Sequence, residues 1–179
     1  MLIDIPNRAT FIDRHTILLQ RRFVDIDIER LWRAITTKSE LDQWFMTTEL
    51  DLRNEGKYTF SGGWDGWISN LKPPHHLQFN SSQTSFTRFE IAGDNDGVLF
   101  SLIDRLRVNA TPPDAPNETD ETQAYHQPGG QGTHWTGVLA GWHCFVDALE
   151  DYLAGRDNND DYEQKCIAYD HFLTNHYKK

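Results

Sequence analysis

THWTGVLAGWHCFVDALEDYL, residues 133–153, is the stretch that dictates how the rest of the chain is arranged. Its apolar side chains are Trp135, Val138, Leu139, Trp142, Phe145, Val146, Leu149, Tyr152 and Leu153. At 3.6 residues per turn their spacing makes one broad stripe along a helix. Thr136, Ala140, His143, Cys144, Asp147, Glu150 and Asp151 fall on the opposite, small or polar face. Fully burying each large side chain is worth roughly 1.5–3 kcal/mol, so the stripe needs a cover, and only strands upstream can supply it. Gly137 and Gly141 each cost a helix about 1 kcal/mol against Ala, which suggests close backbone approach there, and Gly155 is a stop signal.

Those strands are legible upstream. Residues 15–24 (HTILLQRRFV) alternate, with Ile17, Leu19, Arg21 and Phe23 on one side. Asp27 is a good N-cap for a short helix over 28–35, and residues 37–40 (TKSE) read as a capping box opening a second short helix through Trp44. From residue 48 the period is two. Residues 48–53 and 57–61 form a hairpin around Asn54, Glu55 and Gly56, with the glycine available for positive φ. A turn over 62–66 leads to a strand at 67–71, and Pro73 and Pro74 end it. Strands at 77–80, 85–92 and 98–108 follow, and Val98, Phe100, Leu102, Asp104 and Leu106 form the inner set of the last. Consecutive hairpins covered by one amphipathic helix predict an α+β fold. It comprises an antiparallel sheet of about seven strands around a long C-terminal helix, with two short helices after the first strand.

The expected organisation is one domain over 14–155, a weakly patterned lead-in at 1–13, and a tail at 156–179 that is helical from 162. Residues 109–132 are a long loop, acidic and rich in Pro and Gly. With 179 residues, 38% hydrophobic and 12% aromatic, the chain can bury a proper core. Its net charge of −10 speaks against a nucleic-acid or anionic-membrane partner. No apolar run reaches the length of a membrane span, and no signal peptide is visible. Cys144 and Cys166 lack metal-type spacing and read as reduced thiols, so a cytoplasmic protein is expected.

Catalytic motifs are missing. No Ser stands in a nucleophile elbow, and the glycine pairs at 62–63 and 129–130 lack the context of a phosphate loop. His134 and His143 lie about half a turn out of phase on the helix, so no metal and no cofactor are expected. His143 lies one turn before Asp147, which reads as a surface pair.

The run carried by Arg21, Phe23, Leu31, Trp32, Ala34, Thr36, Leu41, Trp44, Phe45, Gly56, Tyr58, Phe60, Gly66, Pro73, Pro74, Gly141 and Trp142 resembles the helix-grip proteins of the START-like (SRPBCC) superfamily. Within it the closest likeness is to the activator of heat-shock-protein-90 ATPase homologue (AHSA-like) family. The resemblance implies a curved seven-stranded sheet around the C-terminal helix, with a cavity between them that often holds a lipophilic small molecule. It also covers carriers, cyclases, hydrolase-like members and co-chaperone modules, so it implies a function less well than a fold.

Strand and helix faces point Trp44, Tyr58, Phe60, Trp67, Phe79, Phe89, Phe100, Leu102, Trp135, Leu139 and Trp142 inward, where they line a pocket or simply fill the core. Parity places Arg21 and Asp104 on the inner faces of neighbouring strands, as a ligand anchor, a structural ion pair or charges at a solvated sheet end, and the sequence does not set the register that would bring them together. The first reading is a non-enzymatic binder of a hydrophobic or amphipathic small molecule, monomer or homodimer. A protein-interaction module using the sheet or the 109–132 loop is the second, and a cyclase- or hydratase-type enzyme with Arg21 and Asp104 in a roomy pocket is the third.

Overall fold

The computed structural model describes residues 9–13, 16–94, 97–105, 134–157 and 162–177, so the 109–132 loop lies outside the described residues. Eight strands form one antiparallel sheet: β1 (Ala9–Asp13), β2 (Thr16–Phe23), β3 (Thr48–Leu50), β4 (Lys57–Phe60), β5 (Trp64–Lys72), β6 (His76–Asn80), β7 (Phe86–Asp94) and β8 (Gly97–Arg105). Their spatial order is β1-β2-β8-β7-β6-β5-β4-β3. Between β2 and β3 run α1 (Ile28–Thr36) and α2 (Lys38–Trp44), and α3 (His134–Leu153) and α4 (Tyr162–Tyr177) close the chain.

The strand beyond the expected seven is β1, which lies in the stretch read as a weakly patterned lead-in. It pairs with β2 through Ala9↔Leu19 and Phe11↔Ile17. An edge strand can be held by backbone hydrogen bonds alone, so it needs no side-chain alternation of its own.

The sheet's inner face follows the alternation in the sequence. Ile17, Leu19, Arg21 and Phe23 of β2 stand opposite Asp104, Leu102, Phe100 and Val98 of β8, and all eight are buried. Phe89 and Ile91 of β7 continue the same rows, followed by Leu77 and Phe79 of β6. α3 lies against this face with Leu139, Trp142, Val146 and Leu149 buried.

Local chemistry sets the element ends. The Asp27 side chain accepts the Arg30 N–H at 2.6 Å and caps α1. The expected capping box at 37–40 does not form, for Thr37 makes no side-chain cap bond. Glu40 is drawn away instead to Arg30 at 2.5 Å and Arg33 at 2.8 Å. In the β3–β4 connection the positive φ of 64° falls on Glu55, not on Gly56. Gly56 is needed for space, since a Cβ there would lie 1.9 Å from the Asp51 carbonyl oxygen.

The expected boundaries shift most at β5, which begins at Trp64 directly after the Gly62 and Gly63 turn. The last strand is described as far as Arg105, so Leu106 lies outside the described residues.

Candidate functional site

At one end of the inner face the aromatic side chains converge. Phe45, from the C-terminal end of α2, packs against Trp44, Phe60, Trp142 and Phe145 with ring centroids 4.6–6.3 Å apart. Tyr58, Phe60, Phe79 and Phe89 continue the cluster across β4, β6 and β7. Above it stands Trp64, 40% exposed and 5.9 Å from the Trp142 ring. The glycines before Trp64 have φ of 94° and 85°, and a side chain at either would meet open space. Trp64 therefore opens β5 directly after a turn whose two glycines border open space.

Beneath this cluster lies Asp104, 6% exposed. One carboxylate oxygen accepts from Trp142 Nε1 at 2.9 Å, and the other accepts from Thr87 Oγ1 at 2.8 Å. Burial pushes the carboxyl up to about 6, although both hydrogen bonds pull it down. Burial also pushes the Tyr58 hydroxyl up to about 12, helped by the negative charges of Asp65 and Asp104. Both acids thus favour their neutral forms more than they would in water.

A pH signature follows for Asp104. The folded state holds this proton more tightly than the unfolded state between the ordinary value of 3.8 and about 6. The resulting stability is fully present below pH 3.8 and lost as pH rises through 6, by about 3 kcal/mol at most. Asp104→Asn keeps an acceptor for Trp142 and offers Thr87 a donor. It is expected to stabilise the protein by about 1–3 kcal/mol at pH 8 and to lose that advantage at pH 4, read by urea titration at both values. A variant less stable than wild type at pH 8 would show that the fold prefers the charged carboxylate.

Arg21 does not meet Asp104. It pairs in register with Phe100, whereas Asp104 pairs with Ile17, four residues further along β2 and so about 13 Å away. The guanidinium turns to α3, where it reaches Asp147 at 2.6 Å and also bonds Glu150. Tyr169 of α4 donates its hydroxyl to Asp147 at 2.7 Å, and Lys165 lies 3.5 Å from the same carboxylate. The Arg21–Asp104 pairing is thereby replaced by a cluster spanning β2, α3 and α4.

α4 also revises the reading of the polar face of α3. His143, taken for a surface partner of Asp147, is fully buried and stacks on Tyr169 with ring centroids 4.8 Å apart. Burial pushes it down to about 4, with the Arg21 charge adding and Asp147 opposing. Among the described residues neither ring nitrogen has a hydrogen-bond partner. The tail helix supplies the cover that its spacing alone could not reveal.

Of the residues singled out by sequence, Trp44, Tyr58, Phe60, Phe79, Phe89, Phe100, Leu102, Asp104, Leu139 and Trp142 share the buried inner layer. Trp67 is not among them. It pairs with Lys57 and Asn80 on the outer face, because the earlier start of β5 and an irregularity after Ile68 make Ile68 the inward residue. Trp135 lies within α3, but its side chain is outside the described residues. Sequence reasoning left Phe45, Trp64, Thr87 and Phe145 out of the site. Phe45 follows a short helix, where neither period places it, and Trp64 falls in what reads as a turn.

A cavity of about 280 Å³ opens over β6, β7 and β8, lined by His75, His76, Glu90, Ile91, Ala92, Leu99 and Ser101. It contains Ser, His and Glu, but Glu90 stands between the other two in register. His76 and Ser101 are thus two strand spacings apart, about 10 Å, too far for direct proton transfer.

An open antiparallel sheet wrapped around one long helix, with two short helices after an early strand, is the helix-grip fold of the START-like superfamily. The family model for Activator of Hsp90 ATPase homolog 1-like proteins matches residues 25–154, and the chain belongs to that family. Among solved structures, CalU16 from Micromonospora echinospora is similar with a TM-score of 0.65 and 18% identity, over 94% of this chain and 98% of that one. The Enterococcus faecalis protein EF2215, a conserved protein of unknown function, gives 0.59 and 17% over 96% and 92%. NE0264 from Nitrosomonas europaea gives 0.58 and 15% over 81% and 97%. At these identities the likeness is one of fold. No curated protein matches the chain. Among the described residues no helix is long and apolar enough to cross a membrane.

Proposed function

We propose that the protein binds a hydrophobic or amphipathic small molecule between the sheet and α3, without catalysing a reaction on it. The observation that carries this reading is a buried carboxyl, Asp104, set under an aromatic cluster whose outermost ring, Trp64, is half-exposed at the start of β5, beside an open glycine turn. The rings pack on one another, so a ligand enters by displacing Trp64 from Trp142. Trp44, Tyr58, Phe60, Phe79, Phe89, Phe100, Leu102, Leu139 and Trp142 supply the apolar wall. Asp104 supplies an acceptor, which suits a ligand bearing a hydroxyl or other hydrogen-bond donor. Arg21 is committed to Asp147 and Glu150, so among the described residues it is not available to anchor an acid.

Titration with 2-naphthol and 2-naphthoate, followed by tryptophan fluorescence, tests this. The naphthol is expected to bind in the micromolar range, about −8 kcal/mol, and the naphthoate at least tenfold more weakly. Trp64→Ala should speed association without unfolding the protein. If neither compound binds and Trp64→Ala changes nothing, the small-molecule reading fails, and a protein-interaction role for this family member takes its place.

A further inference from the structure

Cys144 on α3 and Cys166 on α4 are 2% and 0% exposed, and their sulfur atoms lie 2.8 Å apart. We propose that they are an oxidation site: a reversible intramolecular disulfide that staples the tail helix to the gripping helix, formed at the expense of a small disulfide such as oxidised glutathione. Two sulfurs join at about 2.05 Å, so closure requires a movement of less than about 1 Å. The helices around them are already in place, with Tyr169 bonded to Asp147 and stacked on His143. The family match ends at residue 154. The bond would therefore join the family domain to an element lying beyond it.

The closed state protects the pair. The hydrogen bond to Cys166 and burial push the Cys144 thiol well above its ordinary range, and the thiolate is the reacting form. Reaction begins when α4 lifts. Cys166 loses its proton and attacks one sulfur of the oxidant, and a glutathione thiolate leaves and takes up a proton. When α4 settles back, Cys144 gives up its proton and attacks the Cys166 sulfur of the mixed disulfide, and the second glutathione thiolate departs. Two protein thiols are oxidised, one small disulfide accepts the two electrons, and two small thiols result. Lifting of α4 is the slow step, so the rate should level off as oxidant concentration rises.

The test incubates the full-length native protein with excess oxidised glutathione, blocks remaining thiols, and maps peptides without reduction. The expected products are one linked pair containing Cys144 and Cys166 and a melting temperature raised by roughly 5–10 °C. Dithiothreitol should reverse both. Cys144→Ser and Cys166→Ser, each checked for native circular dichroism, should show neither. The proposal is overturned if the native protein keeps both thiols under conditions that oxidise the denatured chain. It is overturned equally if glutathione adducts or links between chains form in place of the internal bond.

Discussion

Trp142→Ala is expected to lower stability by about 3–5 kcal/mol in urea titration, as befits a large-to-small change in a packed core. The indole touches Phe45, Trp64, Phe89 and Phe145, with ring centroids 5.8–6.4 Å away, and α3 has no larger buried side chain facing the sheet. Its removal opens a hole at the aromatic end and also strips Asp104 of the donor at 2.9 Å. Trp142→Phe separates the two losses. It keeps a ring in the cluster but leaves one carboxylate oxygen without its indole partner, which costs about 1–3 kcal/mol. A loss below about 1 kcal/mol for the alanine variant would mean that α3 does not grip the sheet through this residue.

At the other end of the inner face, Arg21→Met is expected to cost about 3 kcal/mol. Removing one member of a buried ion pair generally costs about 3–5 kcal/mol, because the remaining charge is left desolvated. The lower figure applies because Asp147 keeps Tyr169 at 2.7 Å and Lys165 at 3.5 Å. Glu150 is 42% exposed and can turn to water. Adding Asp147→Leu to Arg21→Met should restore part of the loss, since the buried carboxylate that has lost its guanidinium is then removed, while Glu150 turns to water. If the double variant is less stable than the sum of the two single changes, the charges contribute something other than mutual neutralisation.

The contrast between these two ends reflects what a sequence can carry. The inner rows of β2 and β8 were legible because side chains alternate with a period of two, and parity alone places Arg21 and Asp104 on the core side. The partner of each was not legible. Arg21 is served by Asp147 and Glu150, more than a hundred residues away, and nothing local distinguishes that outcome from a pairing across neighbouring strands. Trp67 shows the fragility of parity, since one irregularity after Ile68 moves every preceding side chain to the other face. The face of α3 carrying His143, Cys144 and Asp147 reads as solvent-facing by composition. It is covered because α4 packs there, and a second layer leaves no periodic trace in the helix beneath it. Phe45 and Trp64 lie at the ends of elements, where neither helical nor strand periodicity applies.

α3 is enclosed on both sides, with Trp142 against the sheet and, one residue later, His143 against Tyr169 of the tail helix. A helix held in this way would act as a rocker arm, yielding on one side only by displacing what rests on the other. A molecule wedged beneath Trp142 would load the contacts of the tail, and a tail fastened down would resist the wedge. Linkage requires the two effects to be equal in free energy. Occupancy of the interior by the proposed ligand and fastening of the tail helix would then be coupled through α3.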